Sequence, residues 1–140
     1  KKPLRIVLAN SGVTADTAKL DDYIDLLKER DPEKFTSSMA AITSQVMDMK
    51  KALEAYDIEK VGEIMTANHQ ILIGMDLSHE ILVYLCEKAI KMGALGAKVT
   101  GGGRGGYMAA LTPDKDLQET LASAYQEEGY HVIQAQIGGR

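Results

Sequence analysis

The sequence has few of the residues that crosslink or rigidify a fold. Of its 140 residues one is cysteine, three are proline, one is phenylalanine and none is tryptophan. The lone Cys86 cannot form an internal disulfide, which suits a reducing cytoplasm. No stretch approaches the roughly 20 apolar residues that cross a bilayer. The apolar run after Lys1 and Lys2 is too short for a signal peptide. We therefore expect a cytoplasmic protein that does not bind a membrane.

A concentrated positive charge is also missing. Sixteen Lys and Arg are interleaved with twenty Asp and Glu, for a formal net charge of -4 and a pI of about 5.4. A nucleic-acid-binding domain normally presents a basic face to phosphate, so this function class is excluded. The hydrophobic fraction of 45% is ordinary for a globular protein, and the length predicts one domain over 1–140 with a single core.

Strand-like and helix-like segments follow one another along the chain. The apolar and β-branched patterns predict four strands, at 4–9, 95–100, 107–111 and 130–137. Helical periodicity predicts helices between them, with caps at Thr14 or Asp16, at Ser78, and near Pro113 and Asp114. Helices grouped between strands are typical of an α+β fold rather than of a parallel βαβ array.

One predicted helix carries a continuous apolar stripe. Asp31-Pro32 begins it, and its apolar residues recur at steps of three and four: Phe35, Met39, Ile42, Val46, Met49 and Leu53. A coiled-coil seam would show this pattern, but three heptads are short for one. We expect packing within a helical bundle, with the next helix, after Tyr56-Asp57, as an antiparallel neighbour.

The segment 100–106 is the most informative, because five of its seven residues are glycine. Without Cβ atoms, successive N–H groups can converge on an anion. The alternative is a flexible hairpin turn. A dinucleotide-binding loop is excluded because a strand, and not a helix, follows at Tyr107. A P-loop is excluded because no Gly-Lys-Ser or Gly-Lys-Thr follows.

Three segments resemble signature motifs of the GHMP kinases, most closely those of mevalonate kinases. Residues 96–106 read Gly-Ala-Lys-Val-Thr-Gly-Gly-Gly-Arg-Gly-Gly and are similar to the family's third motif. Residues 68–72 read Asn-His-Gln-Ile-Leu and residues 74–79 Gly-Met-Asp-Leu-Ser-His, similar to a family helix and turn. Residues 12–20 resemble the segment in which a Thr follows a strand and faces the active site. The matches are in the family's order and cover nearly the whole chain.

The resemblance implies a fold and a function. It implies a four-stranded antiparallel, ferredoxin-like sheet packed against a set of helices, the C-terminal domain of such a kinase. It implies ATP-dependent phosphorylation of mevalonate in isoprenoid precursor synthesis. ATP and Mg²⁺ would be bound mainly by an N-terminal lobe, the expected partner, whose Pro-x-x-x-Gly-Leu-Gly-Ser-Ser-Ala motif is absent from this chain. A lobe with one glycine loop should not catalyse alone.

The resemblance also assigns phosphate- or substrate-binding residues within this lobe. They are Thr17, Gly101, Gly102, Gly103, Arg104, Gly105 and Gly106. The chain departs from the common pattern at Asp16 and Arg104. Arg104 either adds a cation near phosphate or points to solvent. His79, after the predicted cap, is a candidate for substrate contact at the mouth of the cleft.

The other polar candidates are predicted to be structural. His69 is expected to be hydrogen-bonded within the packing, and His131 to lie on a strand without a catalytic role. Cys86 fits a small core position, and no residue is assigned as catalytic. The Asp21, Asp22 and Asp25 cluster is expected to be a solvated helix face, and no metal site is predicted.

Two alternatives remain open on the sequence. The first is another kinase of the same fold, acting on phosphomevalonate, homoserine or a sugar. The second is a stand-alone module of this fold that binds a small anion or another protein without catalysis. A homodimer is compatible with either.

Overall fold

The structure, a computed structural model, describes residues 3–12, 17–75, 77–100 and 106–137, with the side chains of 17–21 left out. Within these ranges there are four strands and five helices. In chain order they are β1 (Leu4–Asn10), α1 (Thr17–Arg30), α2 (Pro32–Glu54), α3 (Ile58–Gly74), α4 (Glu80–Met92), β2 (Gly96–Val99), β3 (Tyr107–Thr112), α5 (Lys115–Glu127) and β4 (His131–Ile137). Each predicted strand is present to within two residues at either end. The predicted helix caps at Thr14 and Asp16 lie outside the described residues.

The strands form one antiparallel sheet in the order β2-β3-β1-β4. Among the described strands, β2 and β3 are neighbours both in sequence and in the sheet, whereas β1 pairs with β3 and β4, which are distant in sequence. The fold is α+β with a four-stranded antiparallel sheet, as the sequence predicted.

Successive side chains along each strand point to opposite faces of the sheet, and each face packs in its own apolar cluster. On one face, Val7 and Ala9 of β1 and Met108 of β3 are fully buried against α4 and α5. On the other face, Leu111 of β3 and Ala52 of α2 are buried in a smaller cluster that includes α3. The sheet thus lies between two helical layers.

Helix α2 begins with the predicted signals. The Asp31 carboxylate accepts a hydrogen bond from the Lys34 backbone N–H at 3.0 Å, and Pro32 occupies the first turn. Asp57 caps α3 and Asp114 caps α5 in the same way. These side chains satisfy backbone donors that have no partner within the helix.

Helices α2 and α3 are antiparallel neighbours. Asn68 near the end of α3 donates to Gln45 in the middle of α2, and the Lys34 ammonium donates to the Gly74 carbonyl oxygen. The apolar stripe of α2 packs only in part, because Val46 remains 63% exposed and Met39 and Leu53 are exposed too. Packing between helices is confirmed, but α2 buries just one residue, Ala52, completely.

The predicted cap of α4 was wrong. His79, and not Ser78, is the N-cap, since His79 Nδ1 accepts a hydrogen bond from the Ile81 backbone N–H at 3.1 Å. The Ser78 hydroxyl is instead hydrogen-bonded to the buried His69 ring. No helix within the described ranges is both long and apolar enough to span a bilayer.

Candidate functional site

The end of β1, the end of β2 and the starts of β3 and β4 lie at one end of the sheet. In the strand register Asn10 lies opposite Tyr107 on one side and opposite His131 on the other. Strand β2 ends and β3 begins on the two sides of the glycine loop, with Val99 opposite Met108. The end of β1, the glycine loop and the start of β4 therefore occupy the same edge of the molecule.

Backbone hydrogen bonds join the end of β1 to the base of the glycine loop. The Ser11 N–H donates to the Gly106 carbonyl oxygen at 2.8 Å, and the Thr100 N–H donates to the Tyr107 carbonyl oxygen at 2.9 Å. The Asn10 side-chain oxygen accepts from the Gly12 N–H at 2.9 Å, which closes a local turn. The two segments that the sequence singled out are thus held side by side.

Two glycines at this junction have backbone conformations that other residues rarely adopt. Gly12 has φ of +80° and Gly106 has φ of +81°. Among the described residues, no atom lies within 4 Å of a Cβ added at either position. The described part of the chain therefore leaves the backbone accessible at both positions, as a close approach of a ligand to the main chain requires.

The predicted phosphate-binding residues fall partly within the described chain. Gly106 closes the loop, and Thr17 is the first residue of α1, five residues after Gly12. The side chain of Thr17 is not described. Gly101, Gly102, Gly103, Arg104 and Gly105 lie outside the described residues, so their roles stay predictions.

The start of α4 approaches the same edge. A short turn after α4, with Gly93 at φ +113°, leads directly into β2, and α4 packs back along the sheet. Its first turn, with His79 as cap, therefore points toward the end of the sheet where β2 enters the glycine loop. Contact between His79 and a substrate remains a prediction.

His69 is hydrogen-bonded within the packing, as predicted. It is 3% exposed, and its Nε2 lies 2.8 Å from Ser78 Oγ. Burial, and then the positive charge of Lys98, lowers the pKa of His69, and Glu87 opposes this weakly. The neutral imidazole is the favoured form, so His69 links α3 to the turn before α4 without carrying charge.

Sequence reasoning missed Lys98, which lies on β2 two residues before the glycine loop. It is half-buried, and burial lowers the pKa of its ammonium group. Lys98 lines a cavity of about 180 Å³ between α2 and α3, beside Asn68, whose Oδ1 is buried without a hydrogen-bond partner among the described groups. Residues 96–98, Gly-Ala-Lys, could have indicated a polar site here. A lysine in a short apolar strand has to face either solvent or a polar site.

The remaining candidates match their structural predictions where they are described. Cys86 is buried, and burial raises the pKa of its thiol to about 12, so no thiolate nucleophile is available at neutral pH. His131 is exposed on β4, and its ring lies edge-on to Tyr107 with centroids 6.4 Å apart. Asp22 and Asp25 are exposed on α1, whereas the Asp21 side chain is not described. The described residues contain no cluster of His, Cys, Asp or Glu that could hold a metal.

Known proteins with similar sequences are sugar and mevalonate kinases. A sequence model of the family described as GHMP kinases C terminal matches residues 49–131. The galactokinase of Pyrococcus furiosus is 40% identical over 96 residues, 68% of this chain and 27% of that protein. The mevalonate kinase of Thermococcus gammatolerans is 33% identical over 124 residues, 85% of this chain and 37% of that protein.

A solved structure extends the likeness to the whole fold. The crystal structure of L. major mevalonate kinase in complex with R-mevalonate superposes with a TM-score of 0.92 at 27% identity, covering 99% of this chain and 44% of that one. The chain thus spans less than half the length of each of these relatives. Its match to the family model runs from the end of α2 to the start of β4, more than half of the chain. The chain belongs to the GHMP kinase family and has the fold of that family's C-terminal domain.

Proposed function

We propose that this chain is the C-terminal lobe of a mevalonate kinase, which transfers the γ-phosphate of ATP to the mevalonate hydroxyl and yields 5-phosphomevalonate and ADP. The observation that carries the proposal is the Ser11–Gly106 hydrogen bond, which holds the β1 end against the glycine loop. Open backbone at Gly12 and Gly106 beside that bond suits an anionic group. The likeness to the T. gammatolerans and L. major mevalonate kinases supports the substrate.

The proposed lobe positions the reactants rather than activating them. Phosphoryl transfer depends on holding the donor and acceptor in line and on neutralising charge around the transferred group. In this lobe Thr17, Arg104 and the glycines of 101–106 would line the phosphate or the substrate. Mg²⁺, ATP and the residues that act on the substrate hydroxyl would be held mainly by an N-terminal lobe. The pathway would be isoprenoid precursor synthesis in the cytoplasm.

A sugar kinase is the second candidate. The P. furiosus galactokinase is more similar in sequence over its matched region than the mevalonate kinases are over theirs. That match covers 68% of the chain, whereas the mevalonate kinase match covers 85%. The longer match and the Gly-Ala-Lys-Val-Thr lead-in at 96–100 favour mevalonate.

The test is a substrate panel with the full-length protein that contains this chain. ADP release would be measured with ATP, Mg²⁺ and, in turn, R-mevalonate, phosphomevalonate, galactose and homoserine. We expect kcat/KM for mevalonate to exceed that for every other acceptor by at least about 100-fold, or about 2.7 kcal/mol of transition-state binding. A preference for galactose would replace the proposal with the second candidate. No transfer to any acceptor would favour a binding module.

A pair of glycine variants separates the role of the glycine loop in catalysis from the effect of backbone strain on stability. Gly106→Ala and Gly93→Ala each force a side chain into a left-handed backbone conformation, with φ of +81° and +113°. The strain costs about 1–2 kcal/mol of stability in each. Only Gly106→Ala should also lower kcat/KM, because Gly93 lies between α4 and the start of β2, at the opposite end of that strand from the loop. Equal kinetic effects would remove the glycine loop from the proposed mechanism.

A further inference from the structure

Lys98 is a half-buried cation without a partner in the described part of the chain. It lies on β2 opposite Ala109 of β3, on the face of the sheet that packs against α2 and α3. The hydrogen bonds and ion pairs of the described residues include none made by its ammonium group. Burial lowers the pKa of this ammonium, which is the direction expected for a cation that lacks a compensating charge.

Asn68 of α3 has the complementary deficit. Its Nδ2 donates to Gln45 Oε1 of α2 at 3.1 Å, whereas its Oδ1 is buried without a partner among the described groups. Asn68 and Lys98 line the same cavity of about 180 Å³, and the other described residues that line it, apart from Gln45, are apolar. An unused acceptor and an unused charged donor therefore share one largely apolar cavity, where each is costly to leave unpaired.

Helix α3 and strand β2 approach each other at successive points toward the glycine loop. The start of β2 is held by close contact between glycines of the two backbones, and its middle by Thr66 Oγ1, which accepts from the Ala97 N–H at 3.3 Å. Asn68 and Lys98 are the next pair along the two elements. Thr100, the last described residue before the loop, lies two residues further, about 7 Å at the rise of a strand. Among the described groups, no bond joins this end of β2 to α3.

We propose that Lys98 is a positioning residue for the glycine loop, and that its ammonium donates to Asn68 Oδ1 when the loop holds a phosphate group. The inference rests on the proposed function, in which the glycine loop lines a phosphate. A phosphate at the loop favours the charged ammonium, and the bond to Asn68 then holds the end of β2 against α3. Such coupling is reciprocal, so the charged Lys98 strengthens phosphate binding by the same factor.

The surroundings of Lys98 leave Asn68 as the acceptor that fits. Helix α2 presents the neutral Gln45, whose Oε1 already accepts from Asn68, and β3 presents Ala109. Helix α3 presents Asn68 and the ring of His69, whose pKa is lowered by burial and then by the positive charge of Lys98. The ammonium therefore lies close enough to α3 to act on its side chains. The alternative is a structural role, in which the alkyl stem covers apolar residues and the ammonium reaches water.

A double-mutant cycle in the full-length protein tests the coupling. Lys98→Met keeps the stem without the charge, and Asn68→Leu keeps a similar volume without the acceptor. We expect each variant to lower kcat/KM at pH 7.5 about tenfold, and the double variant to be no worse than the more impaired single variant. Lys91→Met, which removes an exposed lysine from α4, should stay within about twofold of the wild type. Effects that multiply in the double variant, or wild-type kinetics in Lys98→Met, would overturn the inference.

The pH dependence of kcat/KM separates the charge of Lys98 from its shape. Because burial lowers the pKa of Lys98, kcat/KM of the wild type should fall with rising pH below the ordinary pKa of lysine, as the ammonium loses its proton. Lys98→Arg keeps its charge, so it should stay within about threefold of the wild type at pH 7.5 and move the fall to higher pH. Lys98→Met should lack the fall. A fall at the same pH in all three proteins would contradict the proposed role.

Amine labelling provides a readout that does not require phosphoryl transfer. The full-length protein would be treated with a trace of acetic anhydride, with and without ATP and Mg²⁺, and acetylation of Lys98 relative to Lys91 read by peptide mass spectrometry. We expect ATP and Mg²⁺ to slow acetylation of Lys98 about fivefold or more, because a bonded ammonium is a poorer nucleophile, and Asn68→Leu to remove this protection.

The labelling result also separates the inference from the proposed function. Equal acetylation of Lys98 with and without ATP and Mg²⁺ would overturn the inference, as would protection that survives in Asn68→Leu. Protection that depends on Asn68, in a protein that phosphorylates none of the four acceptors, would support the role of Lys98 while the proposed function fails.

Discussion

The neighbouring residues Ser78 and His79 have the opposite roles to those that their residue types suggest. Serine is a preferred helix cap and histidine is not, yet His79 caps α4 and Ser78 bonds to His69. The buried His69 ring would otherwise lack a partner, and an unsatisfied buried polar group costs about 1–3 kcal/mol. A cap can be supplied by several side-chain types, whereas among the described residues Ser78 is the one hydrogen-bonded to the Nε2 of His69.

At the residue scale we predict a pH dependence of stability that is caused by His69. Its pKa is lowered in the folded chain, so below about pH 6.5 the unfolded chain binds a proton that the folded chain does not. Stability is therefore complete above this pH and falls as pH decreases through it. Between about pH 7.5 and 5.5 the loss should reach at most about 1.4 kcal/mol, measured by urea unfolding of the 140-residue chain.

Two variants show whether His69 is responsible. His69→Gln should flatten the dependence between these two pH values, even though it lowers stability at both. His131→Gln removes an exposed imidazole and should leave the wild-type slope. A slope that survives His69→Gln would assign the effect to other groups.

At the scale of elements, two glycines bring the backbones of α3 and the start of β2 into close contact. A Cβ at Gly62 would lie 2.3 Å from the Leu95 carbonyl oxygen, and one at Gly96 would lie 2.0 Å from the Gly62 carbonyl oxygen. Neither glycine has positive φ, so both serve to bring a helix and a strand backbone together. The contact also brings the Thr66 hydroxyl to the Ala97 N–H at the outer edge of β2.

We predict that Gly62→Ala destabilises the chain by about 1–3 kcal/mol or more, because backbone atoms have to move apart to admit the methyl group. Gly74→Ala is the matched control on the same helix, where an added Cβ meets nothing within 4 Å. It should be neutral or add up to about 1 kcal/mol through helix propensity. Denaturant midpoints of the two variants measure the difference. Equal midpoints would mean that the helix and the strand can separate at little cost.

At the scale of the whole molecule, the chain has a closed core and an open face. The core beneath α4 and α5 includes Leu82, Leu85 and Tyr125, none of which is exposed. The Tyr125 hydroxyl donates to the Leu85 carbonyl oxygen within that core, so the long side chain is satisfied at its polar end. On the outer strand β4, by contrast, Ile133 is 42% exposed and Ile137 is 54% exposed. The described chain therefore has a complete core while apolar side chains of its edge strand face solvent.

We predict that the 140-residue chain alone unfolds cooperatively but phosphorylates no mevalonate, and that it self-associates as its concentration rises. Circular dichroism, the ADP-release assay and sedimentation velocity measure the three properties. Ile137→Glu should reduce the self-association, whereas Gln136→Glu, on the opposite face of β4, should not. Activity of the isolated chain comparable to that of the full-length protein would contradict the division of labour between lobes.

The local features of this protein follow from its sequence. The four strands, the α+β class, the Asp31–Pro32 helix start and the glycine loop could all be predicted, because turn residues, caps and apolar periodicity act between near neighbours. The signature motifs in the sequence also indicated the GHMP kinase family. Of the predicted glycine loop, the structure describes Gly106, which accepts a hydrogen bond from Ser11, and the roles of residues 101–105 stay predictions.

Other features depended on contacts between residues far apart in the chain. The partner of Ser78, the burial of Lys98, the Gly62–Gly96 approach and the strand order β2-β3-β1-β4 carry no local pattern. The apolar alternation of β4 is the same whether or not a helix covers it. Only the assembled sheet shows that α2 and α3 bury Ala109 and Leu111 of β3, while Ile133 and Ile137 of β4 stay exposed among the described residues. Coverage depends on where distant helices pack.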